Sequence, residues 1–520
     1  MSPPAAATAT PSSPEAAPAF DPKLVLDTAR APLAPGQPEK LRFQIHGEHQ
    51  IRLTRLTDLK LLRMDGSFDI LGQTTRIYHW LRLTPRLQFG DRLELVGQAD
   101  APKGFALGQT TQGVQAARHP YDRRRPYEIE PRWLYLQWLS PAGVWRIGQR
   151  PAHWGMGILT NDGDHPPLFG DYLGGAKVDG LLWALWPAET AGINLSLAAD
   201  LVFEDSQARL LDHDQALQGV VTVSYRDPSH NEIGFYARYR HQTTDTAGLS
   251  SGSSERPVDS LSLDATGQFH TELPGGGGHI FGASELVYVW GKSGAGPSLG
   301  ARRADQSATV RQFGAAARLG VVFTSGTGEE RWGFLVTSVD WGWASGDANP
   351  YNNMLRSFRF DENYKIGLIL FNQVLAWKTA RAATIMEDFL GRRLSGADGV
   401  VSNGAIFGAS YFNPTVVLRP RPELDLKFGA LIAQTSSDFV DPWQSLVGSV
   451  RNYDGGDPRA HDLGLELDAG AEYRMVLPHG PTLQFGAEGG VFFPGNAFAD
   501  RSGSRLATQL LAMLRAGVQF

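Results

Sequence analysis

Apolar and polar residues alternate with a period of two along most of the chain. Between Leu41 and Thr54 the odd positions are mainly apolar, whereas every even position carries a polar or charged side chain. Successive side chains of a β-strand point to opposite faces, so this segment predicts a strand with one apolar and one polar face. The same alternation returns at 193–201 and at 465–473. A face with so many charges is not typical of a packed core.

We place about 18 such segments, which is an even number of strands. They begin near residues 41, 74, 92, 132, 143, 174, 191, 217, 231, 258, 279, 308, 331, 403, 424, 463, 482 and 507. Short, turn-rich connections such as 140–143 alternate with long ones such as 153–173. This arrangement is typical of a membrane barrel. The sequence therefore predicts an all-β fold, a transmembrane antiparallel up-and-down β-barrel of about 18 strands with short periplasmic turns and long extracellular loops.

The two ends of the chain differ in character. Residues 1–38 are rich in Ala and Pro and lack the apolar run of a signal peptide, so we predict a disordered leader there and a barrel over 39–520. We expect that an export signal is absent from this numbering. The alternating segment that ends in Phe520 resembles the C-terminal targeting strand of bacterial outer-membrane proteins. That resemblance implies recognition by the barrel-assembly machinery, contact with outer-membrane lipid and lipopolysaccharide, and a Gram-negative outer membrane as the location.

Composition and motifs exclude several other classes of protein. With Cys 0 and no run of 18 apolar residues, the chain has neither thiol chemistry nor the segments of a helical membrane protein. The net charge of -6 gives no reason to expect nucleic-acid binding. Gly291-Lys292-Ser293 resembles the end of a phosphate loop but lacks the earlier glycine of that motif. We expect neither an enzyme nor a cofactor. An acidic stretch, 161–164, could hold calcium in an external loop, but such turns are usually only solvated, so we predict no metal.

The polar faces of the strands are assigned to the lumen, because a charge facing lipid costs about 2–4 kcal/mol at the membrane midplane. The predicted basic lumen residues are Arg76, Arg82, Arg146, Arg150, Arg226, Arg238, Arg240 and Arg318. The predicted acidic lumen residues are Asp340, Asp425, Glu466, Asp468, Glu472 and Glu488. We expect Arg226, Arg238 and Arg240 to form one cluster across the pore from the acidic patch. Two interpretations remain open, a transverse field that orients solutes and a set of ion pairs that neutralise one another in a packed interior.

The long loop 344–402 contains the clearest helical period in the chain. Apolar residues recur every three or four positions, at Ile366, Leu370, Phe371, Val374 and Trp377. We predict that this amphipathic stretch folds into the barrel as a gate; the alternative is a helix lying on the outer rim.

A short motif carries a family resemblance. The segment Trp145–Arg150, followed by Trp154–Gly163, together with the strand number and one very long late loop, resembles the alginate-export family of outer-membrane channels and related specific porins. The resemblance implies a channel for a large polar solute, which favours polysaccharide export with periplasmic export partners. Two alternatives stay open: a general or substrate-specific porin for small polar or anionic solutes, and a structural barrel that anchors an envelope or motility complex.

Overall fold

The computed structural model describes residues 41–71, 74–107, 128–170, 174–188, 192–212, 214–244, 257–294, 307–326, 332–349, 352–390, 400–478 and 480–520. The leader predicted for 1–38 lies outside the described residues. The barrel strands are β1 (Arg42–Leu56), β2 (Thr75–Phe89), β3 (Leu93–Leu107), β4 (Glu128–Ser140), β5 (Gly143–Pro151), β6 (Lys177–Ala188), β7 (Ile193–Glu204), β8 (Asp214–Arg226), β9 (Glu232–Thr244), β10 (Val258–Glu272), β11 (Gly278–Ser293), β12 (Ala308–Ser325), β13 (Trp332–Ala344), β14 (Ala409–Arg421), β15 (Leu424–Thr435), β16 (Asp462–Val476), β17 (Thr482–Pro494) and β18 (Gln509–Gln519).

The strands form one closed antiparallel sheet. Each strand pairs with the next in sequence, and β1 closes the barrel by pairing with both β2 and β18. The ladder between β1 and β18 pairs Glu48 with Gln519 at one end and Leu56 with Leu511 at the other. The predicted barrel and its strand number are confirmed. Most strands begin within a few residues of the predicted positions, and the largest difference is at β14, which begins at Ala409 rather than near 403.

The two faces of the wall follow the alternation in the sequence. On β8, Leu217 and Val221 point outward and are 58% and 44% exposed, whereas Gln218 and Ser224 point inward and are buried. A belt of exposed apolar side chains is unfavourable in water but suits lipid, because hydrocarbon is the medium in which such side chains are most stable. The wall is therefore that of a membrane-spanning barrel.

Short turns lie on one rim and long loops on the other. The long-loop rim carries a hairpin of Lys60–Leu62 with Phe68–Ile70, helix α1 (Ala376–Leu390) and helix α2 (Pro442–Leu446). None of the described helices is long and apolar enough to cross a membrane. The main apolar core lies where inward residues of the wall pack with residues of five loops, β1–β2, β5–β6, β13–β14, β15–β16 and β17–β18.

Candidate functional site

The β5–β6 loop, residues 152–176, enters the lumen instead of projecting from the rim. On one side it meets the β9–β11 wall, where the main-chain N–H groups of Ile158 and Leu159 donate to the Glu285 carboxylate, each at 3.4 Å. Trp154 packs above β9, with its ring centroid 5.5 Å from that of Tyr236.

The same loop is also held at β17 and β18, six to seven strands away around the barrel. The Gly170 N–H donates to Glu488 of β17 at 3.0 Å, and the Gly170 carbonyl accepts from Arg515 of β18 at 3.0 Å. Phe169 lies on a glycine of β15, since a Cβ added at Gly429 would come within 2.9 Å of the Phe169 ring. The loop therefore crosses the barrel from β11 to β17 and narrows the passage.

The sequence pattern indicated a long loop here but did not predict its entry into the lumen. The available signal was its apolar content. Trp154, Met156, Ile158 and Phe169 are all buried in the structure, and none would be stable on an external loop surrounded by water. Asn161 and Asp162, considered above as external calcium ligands, are buried inside the barrel as well.

The β13–β14 loop, residues 345–408, also folds inward, with its deepest part bound to one carboxylate. The main-chain N–H groups of Leu368, Ile369 and Leu370 all donate to Glu466 of β16, the last two at 2.7 Å. Arg76 of β2 donates to Gln373 at 2.8 Å. This segment thus joins β2 to β16 through the lumen.

The residues predicted as a gate lie in this inserted segment. None of Ile366, Leu370, Phe371, Val374 and Trp377 is more than 6% exposed. The helical structure starts at Leu370, as a π-helical stretch that leads into α1, and not at residue 366. The chain turns at position 367, where a glycine has φ +63, a conformation that ends regular structure.

Helix α1 continues from the lumen to the long-loop rim. Lys378 pairs with Asp454 of the β15–β16 loop, and Arg381 pairs with Asp69 of the hairpin at 3.3 Å. The Phe389 ring packs edge-on against Trp443 of α2, with the centroids 5.2 Å apart. The helix therefore covers part of the external mouth.

The two inserted loops contact one another at Asp361. The Asp361 carboxylate accepts a hydrogen bond from the Asn161 N–H at 3.2 Å, and the main-chain N–H of Asp361 donates to the Ile158 carbonyl at 2.8 Å. Burial raises the pKa of the Asp361 carboxyl from 3.8 to about 8. The folded arrangement therefore favours the protonated acid. This contribution to stability is complete below about pH 4 and is lost as the pH rises through about 8.

The predicted basic residues all lie on inward positions, and most have a carboxylate partner. Arg150 donates to Asp200 at 2.7 Å, and Arg318 to Asp340. The remaining contacts are Arg76 with Gln373, Arg82 with Asp100 and Asp164, Arg146 with Gln137, Arg226 with Glu232, Arg238 with Ser262, and Arg240 with Asp205 and Gln218. Pairing of this kind lowers the net field in the lumen.

The predicted acidic residues also lie inward, mainly on β15–β17. Glu466 and Glu488 hold the inserted loops, and Asp340 pairs with Arg318. The others are Asp425 with Arg419 and Arg474, Glu472 with Lys427 and Arg474, and Asp468, whose two carboxylate oxygens are buried and have no hydrogen-bond partner among the described residues.

The expected arginine cluster does not form. Arg226 pairs across the sheet with Glu232 at the short-turn end of β8, whereas Arg240 pairs with Gln218, eight residues further along that strand. At about 3.3 Å per residue, Arg226 lies roughly 26 Å from Arg240. Equal parity placed the three side chains on one face, but the antiparallel register separates them along the pore. Only Arg238 and Arg240 are neighbours.

A second charged network was missed because it depends on long-range pairing. Lys103 of β3 bridges Asp100 at 2.9 Å and Glu130 at 2.5 Å, and Lys177 of β6 bridges the same Glu130 at 2.8 Å. The two lysines are fully buried, which is tolerated because their charges are paired. The network stiffens the wall beside the β5–β6 loop.

Comparison with known proteins finds similarity only in structure. No protein-family model and no curated protein matches the chain. Among solved structures, it is similar to Acinetobacter baumannii OccAB1, at 9% identity over 92% of this chain and 97% of that one, with a TM-score of 0.49. It is also similar to OprD from Pseudomonas aeruginosa, at 8% identity over 92% and 94% of the chains, with a TM-score of 0.47. A third is Pseudomonas aeruginosa OccK2 (OpdF) in complex with glucuronate, at 10% identity over 92% and 96%, with a TM-score of 0.44.

The arrangement of strands and loops indicates the class of membrane protein. A closed barrel of antiparallel strands has an apolar outer face, tight turns on one rim and long loops on the other. Two of those loops enter the lumen and are tied to its charged wall. This is the architecture of a bacterial outer-membrane β-barrel channel.

Proposed function

We propose that the protein is a substrate-specific channel of a Gram-negative outer membrane that passes small polar or anionic solutes. The observation that carries this proposal is the tethering of the β5–β6 loop to both Glu285 and Glu488, which lie six strands apart in the barrel wall. A wide barrel lumen is thereby divided into narrow passages. Small solutes can pass beside a fixed loop, whereas a long polymer needs the loop to leave.

A small cavity lies between the loop and the β9–β11 wall. It has a volume of about 10 Å³, room for roughly one water molecule, and is lined by Gly155, Met156, Glu232 and Thr266, among others. A gap this small, far below the about 300–1,000 Å³ of a pocket for a drug-sized ligand, means that the loop packs closely against this part of the wall.

Preference for anions is supported by two arginines. Within the described residues, neither Arg146 nor Arg238 has a carboxylate at ion-pair distance; they donate to Gln137 and to Ser262 instead. A buried guanidinium without a carboxylate at ion-pair distance attracts an anionic group, most strongly where water is scarce. We infer that Arg238 contributes to anion selectivity.

A size series tests the proposal. Liposomes containing the purified barrel should swell in an isosmotic monosaccharide or gluconate and not in a linear hexasaccharide. In planar bilayers at low salt, Arg238→Gln should shift the reversal potential towards cation selectivity, and Arg238→Lys, which keeps the charge, should not. Equal rates for both sizes would refute the narrow channel, and equal reversal potentials for both variants would refute the role of Arg238.

Polysaccharide export is a second candidate, supported by the resemblance of Trp145–Gly163 to the alginate-export family. It requires both inserted loops to move aside, and export partners on the periplasmic side. A third candidate, a structural barrel that anchors an envelope complex, is favoured by the dense apolar packing around Leu370 and Trp377, both fully buried. Hexasaccharide-driven swelling would favour the exporter, and a silent, correctly folded barrel would favour the anchor.

A further inference from the structure

Two imidazoles and a carboxylate meet in the β5–β6 loop. The ligand atoms of His153, Asp162 and His165 all lie within 4.8 Å of one another. His165 Nδ1 is 3.0 Å from Asp162 Oδ1, and His153 Nδ1 is 3.7 Å from that oxygen. Two His and one carboxylate are a common donor set for Zn²⁺ and related ions.

Two of the donor atoms are buried without a partner. His153 is 7% exposed and Asp162 is 1% exposed. Across the described residues, neither His153 Nδ1 nor Asp162 Oδ2 has a hydrogen-bond partner. Buried polar atoms without a hydrogen-bond partner are rare in proteins, because removing a polar atom from water is unfavourable unless another group compensates for the lost hydrogen bond. A cation held by His153 Nδ1 and by both oxygens of the Asp162 carboxylate would satisfy both atoms.

The distances suit a metal ion. Zn²⁺ binds nitrogen and carboxylate oxygen at about 2.0–2.2 Å, so two ligand atoms at a tetrahedral angle are roughly 3.4 Å apart. The observed 3.0 and 3.7 Å bracket that value. The rings of His153 and His165 are stacked, with centroids 4.0 Å apart. Since a metal lies in the plane of an imidazole that binds it, His165 has to turn out of the stack, and its partial exposure gives it room.

The carboxylate is already fixed for this role. Arg132 of β4 donates to the Asp162 carbonyl at 2.9 Å, which anchors the main chain at this residue. The Asp164 N–H donates to Asp162 Oδ1 at 3.0 Å and orients the side chain. A ligand held by its neighbours needs little reorganisation when the metal binds.

We propose that His153, Asp162 and His165 bind a divalent transition-metal ion of the Zn²⁺ type and so fasten the base of the loop that crosses the lumen. His153 stands where the loop leaves the wall and Asp162 where it returns, so the ion closes the segment 154–161, which reaches Glu285. The fastening role rests on the proposed channel function, whereas the binding itself does not.

Binding is tested on the full-length barrel in detergent, after treatment with EDTA, by calorimetric titration with Zn²⁺ and by the visible spectrum of added Co²⁺. One ion per chain is expected, with affinity at least tenfold weaker in His153→Ala and His165→Ala. The matched control is His270→Ala. His270 belongs to another histidine pair, with its ring centroid 6.5 Å from that of His279, and its replacement should leave the affinity for Zn²⁺ unchanged. Each variant is first checked for heat-modifiable mobility. If His153→Ala does not fold, the partly exposed His165→Ala decides.

Absence of stoichiometric binding, or equal binding by His165→Ala and the parent, would overturn the site. In planar bilayers, Zn²⁺ should reduce current fluctuations of the parent and not of His165→Ala. Bound Zn²⁺ with unchanged fluctuations would overturn the fastening role and leave the site standing. Because titration in detergent needs no conductance, failure of the channel proposal and failure of the metal site are distinguishable.

Discussion

The attachment of the β13–β14 loop to Glu466 offers the sharpest test of the inserted arrangement. Glu466→Ala removes the acceptor of three buried main-chain N–H groups, those of Leu368, Ile369 and Leu370. Each buried donor left without a partner costs about 1–3 kcal/mol. The sum is about 3–9 kcal/mol in favour of a displaced loop. The lower end alone raises the ratio of displaced to inserted loop about a hundredfold, since about 1.4 kcal/mol is tenfold.

The assay is single-channel recording in planar bilayers with protein that passes the heat-modifiability check. We expect Glu466→Ala to occupy a high-conductance state far more often than the parent. The matched control is Arg474→Ala on the same strand, because Arg474 pairs with Asp425 and Glu472 of the wall near the short-turn rim. If both variants keep the parent's distribution of conductances, the loop is not held by Glu466. If both change equally, general damage to β16 is the cause.

Three further predictions concern packing, pH and assembly. Gly234→Ala should destabilise the attachment of the β5–β6 loop by about 1–3 kcal/mol, because the added Cβ would lie 2.9 Å from the Trp154 ring. The thermal unfolding midpoint should therefore fall. In the control Gly219→Ala, the added Cβ has nothing within 4 Å, and the midpoint should stay unchanged. Opening events should become more frequent between about pH 4 and pH 8 as Asp361 ionises, and Asp361→Asn should abolish that dependence; a parent with a flat pH profile would contradict the assignment to Asp361. Deleting Phe520 should lower the yield of folded barrel in the outer membrane without changing the fold of refolded protein, and an unchanged yield would remove its role as an assembly signal.

The local pattern of the sequence was sufficient for the wall of the barrel. Alternation between Leu41 and Thr54 identifies which side chains face lipid, because a strand's side chains point to opposite faces whatever its neighbours are. The same alternation located the start of nearly every strand, and a spacing of three or four residues marked the helical segment around Leu370. These features depend on residues that are close together in the chain.

Only the tertiary structure decided what fills the barrel. Residues of equal parity share a face, yet the antiparallel register separates Arg226 from Arg240 along the pore and joins Gly170 to Arg515 across it. Entry of the β5–β6 loop depends on Glu285 and Glu488, which lie more than 120 residues further along the chain. Local propensity cannot encode such contacts, since they exist only after closure of the sheet brings distant strands to face one lumen. The sequence pattern therefore determined which side chains of the wall face lipid and which face the lumen. Closure of the sheet determined how loops and side chains narrow the passage through the barrel.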